Sequence, residues 1–144
     1  MDKELQFCTF FLDGLLFGVE VSRVQEVLSS QNMTEVPLAP PVVKGLINLR
    51  GQIVTALDLT SSLNLREDRE GKDTMNVVVR TSEEIVSLLV DQIGDVCEVE
   101  EDSFESPPDN LEGMARELIR GAYKLEDRLL LVLDIEKAVE LTVR

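Results

Sequence analysis

The chain is predicted to be all-β with a few short helices, built as two small barrels packed into one body. Three observations carry this. Residues 44–59 (KGLINLRGQIVTALDL) and 120–135 (RGAYKLEDRLLLVLDI) align without a gap at an offset of 76, so that Gly45 falls on Gly121, Leu49 on Leu125, Leu57 on Leu133 and Asp58 on Asp134. A shorter echo, 21–27 (VSRVQEV) on 90–96 (VDQIGDV), lies upstream at an offset of 69, and the blocks keep their order in both halves. Self-similarity in fixed order marks two copies of one unit. Next, strand-length apolar runs alternate with turn signals every ten residues or so, roughly the spacing of a sandwich or barrel. Finally, 44% of the 144 residues are apolar, enough for a core, while a half-chain of about 70 residues is marginal alone. The approximate repeat units, 5–65 and 74–141, therefore belong to a single domain spanning 1–144.

Each element follows from local pattern. Residues 5–12 (LQFCTFFL) read as a strand, Asp13-Gly14 as a tight hairpin turn, and 15–21 as the returning strand. Val21, Val24, Val27 and Leu28 recur at helical spacing and predict a short helix over 21–28, with Ser22 at its cap. The second copy keeps Val90, Ile93 and Val96, but Gly94 and the valines leave a strand–turn–strand reading equally open there. Residues 36–41 (VPLAPP) form a rigid connector, since proline is excluded from helix interiors and central strands. Strands 45–49 and 52–59 flank an Arg50-Gly51 turn, whose copy turns at Glu126-Asp127. Residues 66–73 (REDREGKD) read as a solvated loop between the halves, open to insertion. Strands 76–80 and 84–90 follow, then an acidic stretch, 98–109, ending in Pro107-Pro108. Asp109 with Glu112 predicts a helix start and a short helix reaching Leu118. Residues 134–141 close the chain as a helix capped by Asp134, with Ile135, Ala138 and Val139 inward, and 60–65 is its shorter counterpart.

Composition narrows the function. With 28 acidic against 14 basic residues, the net charge of −14 opposes binding to nucleic acid or to an anionic membrane surface. No histidine is present, which removes the commonest general base and metal ligand. Cys8 and Cys97 stand apart in apolar runs without a CxxC pattern, and read as two buried thiols in a reducing cytosol. The opening MDKELQF lacks signal-peptide character and no apolar run approaches membrane-span length, so a soluble, cytoplasmic protein is expected.

Candidate sites each carry two readings. Glu98, Glu100, Glu101 and Asp102 suggest a divalent-cation site, but lack the alternation and turn glycine of a calcium loop and read better as a solvated loop. An enzyme or small-ligand barrel using the acidic cleft between the units is kept as the alternative function. Asp58 and Asp134, being repeat-related, read as paired caps. Val24, Val27 and Leu28 form either a core face or the wall of a groove that accepts a partner helix. Arg50 is either an exposed turn arginine or one held by an acidic partner, Glu26, and presented at an interface; the residues leave both open.

Residues 40–59 (PPVVKGLINLRGQIVTALDL), preceded by 17–28 (FGVEVSRVQEVL) and joined by 88–99 (LLVDQIGDVCEV), resemble the CheW chemotaxis coupling family, from Leu5 to Leu141. The NLRG tetrapeptide after KG is the most specific part. The resemblance implies two interleaved, pseudo-symmetric five-stranded SH3-like β-barrels with a C-terminal helix. It implies a stand-alone, non-enzymatic adaptor without a cofactor, cytoplasmic and recruited to membrane receptor arrays. Its partners would be the cytoplasmic tip of chemoreceptors and the regulatory domain of the histidine kinase CheA, with no nucleic acid and no membrane insertion. It further implies a structural salt bridge between Glu26 and Arg50, beside a receptor-binding groove formed by Val24, Glu26, Val27, Leu28, Gly45, Asn48 and Arg50, with Gly45 sensitive to substitution.

Overall fold

The computed structural model describes residues 4–66 and 73–143; the charged run expected as a loop over 66–73 falls largely outside them. Strands β1 (Glu4–Leu12), β2 (Leu15–Glu20), β3 (Val24–Ser29), β4 (Val43–Leu49) and β5 (Gln52–Leu57) come from the first half. The second half supplies β6 (Met75–Arg80), β7 (Ile85–Val90), β8 (Gln92–Glu100), β9 (Ile119–Lys124) and β10 (Leu129–Leu133), with helices α1 (Met114–Leu118) and α2 (Ile135–Thr142). Two five-stranded sheets result, in the orders β8-β1-β2-β10-β9 and β3-β6-β7-β5-β4, and each curls into an SH3-like barrel.

Exchanging each strand for its repeat counterpart (β1 for β6, β2 for β7, and so on) turns the first order into the second. Strands β3, β4 and β5 leave β1 and β2 and pair instead with β6 and β7. Sequence repeat and barrel are thus different divisions of the chain. Two junctions between the halves run through each sheet, one antiparallel and one parallel.

Both copies carry the same bulges. In β3, Val24 faces Val79 and Glu26 faces Val78, leaving Gln25 as the extra residue. In β8, Ile93 faces Phe10 and Val96 faces Cys8, so Gly94 and Asp95 together answer Thr9. In β4 and β9 the extra residues are Lys44 and Arg120. The bulge corrects the helix expected over 21–28. One inserted residue lets Val24 and Val27, three apart, lie on the same face of a strand, opposite Val79 and Val77. Helix-like spacing here is bulged-strand spacing, and the structure has a short 3-10 turn, Val21–Arg23, leading into β3.

Turn chemistry acts where expected. Asp13 and Gly14 (φ 49° and 78°) and Arg50 and Gly51 (φ 50° and 90°) form two-residue turns with both positions left-handed, the type that matches strand twist. The copy at Glu126-Asp127 is longer, closed by Leu125 N–H donating to the Arg128 carbonyl at 2.8 Å. The helix expected from Asp109 starts later. Leu111 N–H donates to the Pro108 carbonyl (3.3 Å), closing a turn, and Gly113 at φ 60° sets the start of α1. Asp134 caps α2, accepting from Lys137 N–H at 3.0 Å, with Ile135, Ala138 and Val139 buried. Its counterpart Asp58 accepts from Thr60 N–H (3.0 Å) and from the Thr60 hydroxyl (2.6 Å), followed by a single helical turn.

The main core lies between the sheets and under both helices, with Phe10, Phe17, Val77, Val79, Leu88, Leu131 and Ala138 among its residues. Smaller cores fill the barrels, around Phe7, Tyr123 and Leu130 in one and Ile47, Val54 and Val78 in the other. Helix α2 is latched across the seam. Glu136 accepts from Arg23 Nη1 (2.6 Å), from Ser82 N–H (2.8 Å) and from the Ser82 hydroxyl (2.7 Å). The Ser82 hydroxyl bond, first among the causes, holds the Glu136 carboxyl below the ordinary glutamate range. The cysteines are half-buried and free. Cys97 is paired across the ladder with Phe7, so Cys8, the next residue, points to the other face of the sheet. Burial pushes both thiols up.

Candidate functional site

Strands β3 and β4 are the two outermost strands of their sheet, and β4 carries a further bridge between Leu46 and Thr34. The β4–β5 turn lifts Arg50 across the gap between them, where its Nη2 donates to Glu26 Oε2 on β3. The pair thus ties one edge of the barrel to the other. Asn48 sets the turn from below, its Oδ1 accepting from Gly51 N–H at 2.9 Å. The burial is uneven: the Arg50 side chain is 69% exposed and that of Glu26 23%. The second carboxylate oxygen of Glu26, Oε1, is buried without a hydrogen-bond partner. Because the arginine is solvated, a double-mutant cycle over Glu26→Gln and Arg50→Gln is expected to give a coupling of about 1 kcal/mol or less. A value near 3 kcal/mol or above, the scale of a broken buried pair, would contradict this.

Around this corner the other residues separate into roles. Val24 is partly buried against the main core. Val27 lies on the same face of β3 but is 41% exposed. Together they make an apolar ledge along the β3 edge, while Glu26, opposite Val78, turns to the other face and meets Arg50 there. Leu28 packs with Met33 and Ile85 against the core inside the barrel. Gly45 is buried, and a Cβ there would lie 2.8 Å from the Thr34 carbonyl oxygen. The structure therefore joins Glu26 to Arg50 with Asn48 setting the same turn, places Leu28 and Gly45 on the barrel-interior face with Glu26, and turns Val24 and Val27 to the other face of β3.

The repeat partner of this corner has a different character. Asp95 and Glu126 occupy the places of Glu26 and Arg50, and an exposed valine, Val96, the place of Val27. The ion pair belongs to one barrel alone. The acidic run from Glu98 lies at the end of β8 and in the short turn Glu101–Ser103, where Glu98 accepts from the Gln6 amide (3.0 Å). Sequence reasoning missed the Glu136 latch and the paired bulge cations. The second signal was present, because Lys44 falls on Arg120 in the gapless alignment.

Two five-stranded SH3-like barrels that exchange strands define the fold class. A family model described as CheW-like domain matches residues 6–142. The chain belongs to the CheW family. It is 30% identical over 140 residues to a chemotaxis protein CheW of Treponema pallidum, covering 94% of this chain and 82% of that one. A Bacillus subtilis chemotaxis protein CheW is 30% identical over 131 residues, covering 91% and 84%. The crystal structure of the scaffolding protein TtCheW from Thermoanaerobacter tengcongensis superposes with a TM-score of 0.81 at 26% identity, covering 92% of this chain and 90% of that one. A small-ligand or metal-dependent barrel enzyme is not favoured by these relationships. Among the described residues, no helix is long and apolar enough to cross a membrane.

Proposed function

We propose that this chain joins the cytoplasmic tip of a chemoreceptor to the regulatory domain of a CheA-type histidine kinase, in the cytoplasm at membrane receptor arrays, without catalysis and without a cofactor. The observation that supports this most directly is the apolar ledge of Val24 and Val27 on the edge strand whose other face carries Glu26, paired with Arg50. An exposed apolar strip along a strand edge suits the apolar face of an amphipathic helix laid along it. Tethering raises the effective concentration of each partner for the other. Passing a signal requires in addition that receptor state change the packing of adaptor and kinase, by about 1–3 kcal/mol of coupling.

The test is reconstitution from purified parts. The chain, a receptor cytoplasmic fragment and a kinase regulatory domain are expected to form a ternary complex in which neither partner displaces the other. Competition for one surface, or failure to bind either, would overturn the proposal.

A further inference from the structure

Two cavities occupy repeat-related places. One, of about 40 Å³, is bounded by Arg120, Asp134 and Glu136. The other, of about 280 Å³, is bounded by Lys44, Asp58 and Thr60. These residues correspond one to one at the offset of 76. Lys44 and Arg120 are the extra residues of the matching bulges, so each cavity has a cation set out of its ladder.

The small cavity is filled from within the chain. Arg120 Nη1 stands 3.5 Å from the Glu20 carboxylate, and Arg23 enters beside it to reach Glu136. In the repeat, the place of Glu20 belongs to Leu89 and that of Arg23 to Gln92. The ladder fixes this correspondence, because Glu20 faces Phe7 as Leu89 faces Asn76. Lys44 and Asp58 each have interactions within the chain, so the contrast between the sites is one of room. The larger cavity keeps the bulge cation and lacks the side chains that fill its twin. Its walls add the hydroxyls of Ser61 and Ser62 and the apolar surfaces of Val42, Met114 and Leu141. Met114 and Leu141 are exposed.

We propose that the larger cavity receives an aspartate or glutamate side chain from a partner protein. The carboxylate would meet Lys44 and the serine hydroxyls, as Glu20 meets Arg120, while the neighbouring apolar residue of the partner covers Met114 and Leu141. Charge argues for this occupant: on a chain of net charge −14 an acidic group is drawn only to a local cation, and in this cavity the wall carboxylate, Asp58, is buried and held by the Thr60 N–H and hydroxyl, while Lys44 is exposed. The inference rests on the adaptor reading and gives it a second contact site that shares no residue with the Val24–Val27 ledge.

The probe is the blocked tripeptide acetyl-Leu-Glu-Leu-amide, titrated into the full isotope-labelled chain and followed by amide shifts. Saturable shifts are expected at Ser61 and Ser62. Affinity should fall about tenfold when the probe carries Gln for Glu, fall similarly in Lys44→Ala, and recover in Lys44→Arg. Absence of saturation up to about 20 mM probe, the range of the weakest specific contacts, overturns the proposal; so does equal binding of the Gln probe. Should Lys44→Ala disturb shifts across the whole chain, Met114→Trp, which fills the cavity from its rim, decides in its place: retained probe binding counts against the site and loss supports it. Receptor-fragment binding is measured on the same samples. Probe binding that persists while the receptor fragment fails to bind sinks the adaptor reading and not this site.

Discussion

Gly121→Ala is expected to lower the stability of the fold by about 3 kcal/mol, a drop in Tm of roughly 10 °C, at the upper end of what overpacking usually costs. Strand β9 is the outermost strand of its sheet, and a strap from the preceding loop covers its edge. Glu105 N–H donates to the Ala122 carbonyl (2.9 Å) and Ala122 N–H to the Glu105 carbonyl (3.0 Å). A Cβ on Gly121 would stand 2.4 Å from the Glu105 carbonyl oxygen and 2.2 Å from Phe104 Cζ. The Phe104 ring can swing aside, at the cost of its packing on Tyr123. The carbonyl cannot move without opening the strap. Gly45 is the repeat counterpart, under a strap in which Thr34 and Leu46 exchange bonds of 2.9 and 2.8 Å. Its Cβ would stand 2.8 Å from the Thr34 carbonyl oxygen and 2.9 Å from Met33 Cβ. Gly45→Ala should therefore cost less, about 1–2 kcal/mol. Thermal and urea unfolding read both. Near-neutral effects, or a larger effect at Gly45, would show that close strap contact is not what requires these glycines. The straps also block edge-to-edge pairing, so Gly121→Ala should aggregate more readily on heating.

Much of this architecture was legible in sequence because it depends on local chemistry. Asp13-Gly14 and Arg50-Gly51 announce tight turns through residues that tolerate left-handed φ. Asp134 announces a cap, and Gly45 falling on Gly121 announces duplication. What local pattern does not encode is pairing at a distance. The repeat says that two units exist; it does not say that β3, β4 and β5 of one complete the barrel of the other. Nor does it separate a helix from a bulged strand, since an inserted residue changes a spacing of two into three, as Val24 and Val27 show. At the site, sequence singled out Arg50 but left its burial open, because exposure depends on how far the β4–β5 turn reaches toward β3. The Glu136 latch joins three elements through Arg23 and Ser82, and none of these residues carries a motif.

Val27→Asp is expected to weaken receptor-fragment binding by about 100-fold, while leaving stability within about 0.5 kcal/mol of the parent chain. Val27 is 41% exposed on an unpaired edge, so an aspartate there keeps its water in the free chain. Under a docked apolar helix it would lose that water without gaining a partner, and an unpaired buried charge is among the most unfavourable contacts an interface can hold. Val24 serves as an internal comparison. It packs against the main core opposite Val79, so Val24→Asp should weaken binding and also destabilise the fold by about 1–3 kcal/mol. The repeat supplies the control. Val96 holds the same place on the edge strand β8 and is 58% exposed, but Asp95 and Glu126 stand where Glu26 and Arg50 form their pair. A receptor helix that needs both the ledge and the arginine should ignore it, leaving binding unchanged in Val96→Asp. Equal losses from Val27→Asp and Val96→Asp would mean that either exposed edge is simply adhesive, and the assignment of the docking site to the barrel of β3 and β4 would fail.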